Sequence, residues 1–236
     1  MSSVLLRRAG AECVGTYALV TAGCGAIIVN TTTGALTHLG VALTFGLIIT
    51  VMIAAAGHLS GAHFNPAVTW AFALTRHFPW QELPIYIGAQ MLGAVGGALT
   101  LRMLFGAVAD LGATLPSGSA GQAFGLEMLL SAILMFVIMA VATDTRAVGQ
   151  LAAITIGATV ALDALWGGPI SGASMNPARS FGPALVAGAW RDHWIYWLGP
   201  LIGTSAGALL YQLLRTPQAE QAANEASVET VDVNNY

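Results

Sequence analysis

One stretch constrains this chain more than any other because it is written twice. Ser171-Gly172-Ala173-Ser174-Met175-Asn176-Pro177-Ala178-Arg179 has an echo in Ser60-Gly61-Ala62-His63-Phe64-Asn65-Pro66-Ala67, with Ser, Gly, Ala, Asn, Pro and Ala matched at one constant offset of 111 residues. Each copy reads as a loop turning into a helix: asparagine is a favoured N-cap, proline suits the first helical position, and glycine lets the backbone turn just before. A single Asn-Pro start is ordinary punctuation, whereas two near-identical ones at a fixed offset form an internal repeat.

The repeat sits in an apolar background. Of 236 residues, 56% are hydrophobic and 8% charged, where soluble domains carry about a quarter charged residues. The chain therefore reads as a membrane protein, with six apolar stretches near the 20 residues a span needs: 11–29, 39–57, 83–104, 122–142, 149–166 and 194–214. Glu12 interrupts the start of the first, and its apolar segment continues through a Gly-rich run, which argues against a cleavable signal. All eight basic residues are arginine. Both termini on the cytoplasmic side would place Arg7, Arg8, Arg76, Arg146 and Arg215 inside against Arg102 and Arg191 outside, as the positive-inside rule asks of a cell (inner or plasma) membrane protein.

A net charge of −3 without a basic run gives no reason to expect a nucleic-acid partner. Cys13 and Cys24 stand about 16 Å apart if helical, too far for a mutual disulfide. No nucleophile–base pair or metal-ligand cluster stands out, so neither an enzyme, a cofactor nor a metal site is expected.

The repeat reaches beyond the motif. Glu12 has a counterpart in Glu127, and Gly93-x-x-x-Gly97-Ala98-Leu99 one in Gly203-x-x-x-Gly207-Ala208-Leu209. The glycine pairs read as close helix contacts. Residues 1–215 then form one transmembrane domain of two halves, about 1–110 and 111–215, joined by a Gly/Ser-rich loop near 106–121. A polar segment, 216–236, is expected to be a disordered cytoplasmic tail. Three spans per half is an odd number, so the second half must enter the membrane inverted. The segment 66–76, about 16 Å of helix, is too short to cross, and polar loops at membrane depth must line a cavity or be buried in protein. The expected fold is all-α: six transmembrane helices plus two re-entrant half-helices that meet near the midplane.

The two boxes, Gly57 to Thr69 and Ser171 to Pro183, resemble the Asn-Pro-Ala boxes of the aquaporin, or major intrinsic protein, family over residues 5–214. Ala142-Thr143-Asp144-Thr145-Arg146-Ala147-Val148-Gly149 and the run Gly167 to Met175 are most similar to its nodulin-26-like, aquaglyceroporin-type branch and bacterial relatives. The resemblance implies a homotetramer with one pore per protomer, passing water and small neutral solutes through the bilayer. Asn65-Pro66-Ala67 and Asn176-Pro177-Ala178 would line its centre. Counting from the boxes, the family's four constriction positions fall on Phe45, Ala164, Ala173 and Arg179. Water-selective members usually have His where this chain has Ala164, so the expected pore is wide enough for glycerol, urea and uncharged metalloid hydroxy acids. A water-selective channel is the alternative; a secondary transporter, whose folds also use inverted repeats and broken helices, is the more distant one.

Other charged residues admit more than one reading. Glu12 and Glu127 suit hydrogen-bonded support of the two loops, against a proton relay. Arg179 within the membrane suits a pathway more than a structural ion pair. Asp163 adjoins Ala164, but neighbouring helical residues diverge by about 100°, so the two do not face one way.

Overall fold

The computed structural model describes residues 2–143 and 151–215. Arg146, most of the connecting motif around it and the expected tail 216–236 lie outside the described residues. The described residues form eight α-helices in order: α1 Ser3–Thr33, α2 Thr37–Ser60, α3 Pro66–Leu74, α4 Leu83–Phe105, α5 Ala120–Thr143, α6 Ala152–Ser171, α7 Pro177–Ala187 and α8 Ile195–Leu214. Short 3-10 turns at Trp80–Glu82 and Ala109–Gly112 sit in the connections on either side of α4. The described residues contain no strand.

Helix ends are set by local chemistry. Ser2 caps α1, its hydroxyl accepting from the Leu5 N–H. Asn65 and Asn176 cap α3 and α7, each with proline at the first position. Gly61 and Gly172 end α2 and α6 in the left-handed region, at φ 90° and 89°, the conformation that closes a helix with least strain when no Cβ is present. These caps move two boundaries relative to the sequence reading. α2 continues to Ser60 instead of 57, and α6 runs Ala152–Ser171 instead of 149–166 and so contains Pro169. α1 begins at Ser3 rather than 11, which puts Arg7 and Arg8 on the helix itself. Arg8 pairs with Glu82 at 2.6 Å and stacks over Phe78 and Tyr86.

Among the described residues, five helical segments are long and apolar enough to cross a membrane: α1, α2, α4 with its preceding turn, α5 and α6. α8 is as long as α6 at 20 residues, about 30 Å, and its polar groups are turned onto protein. Thr204 donates to the Ala67 carbonyl, Ser205 accepts from the Trp70 indole, and Gln212 donates to the Thr75 carbonyl.

Two tight pairs hold the halves. α1 packs on α4, where a Cβ at Gly93 would lie 2.2 Å from the Cys13 carbonyl oxygen. α5 packs on α8, where Cβ atoms at Gly203 and Gly207 would lie 2.2 Å from the Met128 and Ala132 carbonyl oxygens. α2 and α6 join the halves, with a Cβ at Gly46 only 2.5 Å from the Gly157 oxygen. The half-helices cross over: α3 packs mainly on α8 and α7 mainly on α4, so each is sheltered by the other half.

Candidate pore

The loops before the two Asn-Pro-Ala turns are held in a conformation that side-chain-bearing residues avoid. Ala62, Phe64, Ala173 and Met175 all have positive φ, between 42° and 53°. Such backbone persists where its surroundings fix it, and two buried carboxylates do so. Glu12 accepts from the His63 and Phe64 N–H groups at 3.0 and 2.6 Å, from the Ser60 hydroxyl and from the Gln90 amide. Glu127 accepts from the Ser174 and Met175 N–H groups, both at 2.8 Å, and from the Ser171 hydroxyl. A trans peptide points its carbonyl opposite its N–H. The carbonyls of Ala62, His63, Ala173 and Ser174 therefore face away from the carboxylates, and these four residues line one cavity.

Each asparagine uses its amide in two directions. Asn65 Oδ1 accepts from the Ala67 N–H, while its Nδ2 donates to the Met175 carbonyl at 2.7 Å. Asn176 Oδ1 accepts from the Ala178 and Arg179 N–H groups, while its Nδ2 donates to the Phe64 carbonyl at 2.9 Å. The amide carbonyls cap their own helices and the nitrogens tie the two loops together. An amide nitrogen carries two hydrogens, so each asparagine keeps one N–H beyond that tie, and both residues line the cavity. Pro66, Ala67, Pro177 and Ala178 are buried at the helix starts.

Two cavities, of about 130 and 450 Å³, adjoin at this site and share lining residues. Phe45, Ala164, Ala173 and Arg179 line both of them and so stand where one gives way to the other. Arg179 is only 2% exposed. Its Nη1 donates to the Gly112 carbonyl at 2.9 Å, its guanidinium lies 5.0 Å from the centre of the Phe45 ring, and its Nε has no partner among the described residues. Two methyl groups, a phenyl face and a guanidinium edge thus frame the junction. Asp163 is fully buried and lines neither cavity.

Several residues that shape this site carry no signal in the sequence. Gly112, in the turn before α5, holds Arg179 through its carbonyl, a group present in every residue. Gly23 makes room for Phe45, since a Cβ there would be 2.2 Å from the ring. Tyr86 and Tyr196 donate to the Ser60 and Ser171 carbonyls at 2.8 and 2.6 Å, a symmetry visible only once the spacing from each box is compared. Among the described residues no cluster of His, Cys, Asp or Glu is arranged to hold a metal ion.

Comparison with known proteins agrees with this geometry. The Major intrinsic protein family matches residues 1–211. Aquaporin NIP1-1 of Oryza sativa subsp. japonica is 53% identical over 207 residues, covering 87% of this chain and 73% of its own. Nodulin-26 of Glycine max is 48% identical over 217 residues, covering 91% and 80%. The X-ray structure of the aquaglyceroporin from Plasmodium falciparum superposes with a TM-score of 0.81 at 25% identity, covering 89% of this chain and 96% of that one. This chain is an integral membrane protein that belongs to the major intrinsic protein family of aquaporin channels, on its nodulin-26-like side, and is not an enzyme.

Proposed function

We propose that this channel conducts small uncharged solutes (glycerol, urea and uncharged metalloid hydroxy acids) together with water, and excludes protons and other ions. Phe45, Ala164, Ala173 and Arg179 form its selectivity filter. The observation that carries this reading is the pair of small side chains, Ala164 and Ala173, at the junction where Phe45 and Arg179 supply the bulk. A polyol slides its carbon face along Phe45 while Arg179 and the loop carbonyls pair with its hydroxyls, replacing its hydration. The Plasmodium falciparum neighbour is itself an aquaglyceroporin.

Ion exclusion rests on the two half-helices. Each N-terminus carries about half a positive charge, and the ends of α3 and α7 meet at Asn65 and Asn176. A cation entering there meets that potential and loses its water shell for amide donors that cannot hold it. Arg179 adds a fixed positive charge at the junction. Arginine counts on either side support cytoplasmic termini, with the Arg179 side then extracellular. The family resemblance supports a homotetramer with one pore per protomer.

Stopped-flow light scattering on proteoliposomes tests the filter. Glycerol and urea should both cross, and Ala164→His, which adds bulk and a polar edge, should reduce their flux by roughly tenfold or more, the lower end of what one added group in a pocket discriminates, while water flux falls far less. Equal loss of both, or no glycerol or urea flux in the parent, favours a water-selective channel instead. In planar bilayers the parent should carry no cation or proton current comparable to its solute flux, and Arg179→Val should raise that current while water still passes.

A further inference from the structure

We propose that His38 is a positioning residue for the filter: by hydrogen-bonding the carbonyl that Pro169 leaves without a partner, it fixes where the Ala164 turn of α6 stands relative to Phe45 on α2. Pro169 lies inside α6 and has no N–H, so the carbonyl four residues earlier, on Leu165, loses its helical donor. His38 Nε2 is 2.7 Å from that oxygen. A carbonyl only accepts, so Nε2 carries the proton and donates. The imidazole also fills the space over Gly168, where a Cβ would lie 2.9 Å from the ring.

The location gives this bond its consequence. His38 and Phe45 are seven residues apart, two turns of α2, and therefore share one face. Both line the larger cavity, as do Ala164 and Gly168 of α6. Leu165 directly follows Ala164, so the bond ties α6 to α2 one residue from the filter wall. Two further bonds secure the same helix end, from the Ser117 hydroxyl to the Pro169 and Ile170 carbonyls. Among the described residues the His38 bond is the one hydrogen bond between α2 and α6, and it lies on the Pro169 side of Ala164, away from the close contact of Gly46 with Gly157 and Ala161. Without it, the proline-weakened turn beyond Ala164 loses its hydrogen-bonded tie to α2, and the spacing of Phe45 and Ala164 rests on packing alone, as of Gly46 against Gly157 and Ala161.

A double-mutant cycle tests this. His38→Met removes the donor at similar reach, His38→Gln keeps a donor near the Nε2 position, and Pro169→Ala restores the helical N–H to the Leu165 carbonyl. Two readouts are taken: the thermal unfolding midpoint of purified protein in detergent, and the glycerol-to-water flux ratio in proteoliposomes. His38→Met should lower the midpoint by a few degrees and change the flux ratio by about threefold or more. His38→Gln should restore both, and in the Pro169→Ala background His38→Met should lose most of its effect.

A His38→Met protein identical to the parent in both readouts, or an effect undiminished beside Pro169→Ala, overturns the assignment. Should His38→Met fail to fold, recovery of folded protein by adding Pro169→Ala supports the coupling, and continued failure refutes it. The inference on flux rests on the filter proposed above. If the parent passes no glycerol, that proposal fails, while the cycle in unfolding midpoints still decides the His38 bond.

Discussion

Gly23 decides the place of Phe45. A methyl group there would sit 2.2 Å from the ring edge, so the phenyl occupies the volume a larger residue would claim. Because Phe45 lines both cavities, Gly23→Ala should push the ring toward them. Glycerol flux should fall severalfold while water, a smaller permeant, loses little; an unchanged ratio would mean that the ring yields in another direction. Residues inside the repeated motif, Asn65, Asn176 and Arg179, were legible because chemistry and spacing coincide there. Gly23 was not, since a glycine in an apolar helix gives no hint of a ring reaching it from the next one. Gly112 was equally silent, because it acts through its backbone oxygen.

At the scale of elements, the two loop–half-helix units share a plan but not all of its parts. Glu12 receives a fourth donor, Gln90 from α4, and Gln90 also bonds Thr69. At the matching position of α8 stands Pro200, which has no donor. In the second unit Ser180, the counterpart of Thr69, is bonded instead by Thr114 from the α4–α5 connection and by Ser174. Glu127 therefore depends wholly on the loop it holds. Glu127→Gln would turn an amide NH2 toward the N–H of Met175 or Ser174 and leave a buried donor unpaired, at a cost of about 1–3 kcal/mol. The expected outcome is a lower unfolding midpoint together with loss of solute flux, because the strained residues Ala173 and Met175 lose their restraint. An unaltered midpoint and flux would show that the loop holds itself. The positions of both glutamates were legible from their symmetry, but the Gln90–Pro200 difference was not, because it acts through a third helix whose distance from the loop the chain order does not give.

For the whole molecule, the parity of spans made the inverted repeat legible before any coordinates. The exchange of half-helices between halves was not: the motif is nearly the same in both copies and does not say whether α3 packs on α4 or on α8. Each short helix packs chiefly on the other half, so stability is a property of the assembled pair, and one buried group beside α7 makes it depend on pH. His193, between α7 and α8, is 9% exposed, packed by Trp190, Phe181 and Tyr196, and neither ring nitrogen has a hydrogen-bond partner among the described residues. Burial holds its pKa below the ordinary value of 6.5. Above pH 6.5 the imidazole is neutral both folded and unfolded, and its contribution to stability is fully present. As the pH falls through 6.5 the unfolded chain takes up a proton that the folded protein still refuses, so stability falls with pH until the lower, folded-state pKa is passed. His77, beside Thr75, is shifted the same way by burial and by Arg215, and adds a slope of the same sign. The unfolding midpoint in detergent should thus be flat from pH 8 to about 7 and decline toward pH 5. His193→Phe, which fits an aromatic pocket and takes no proton, should decline less steeply than the parent below pH 6.5. If parent and variant decline in parallel, His193 takes up its proton as readily folded as unfolded, and its pocket is open to water.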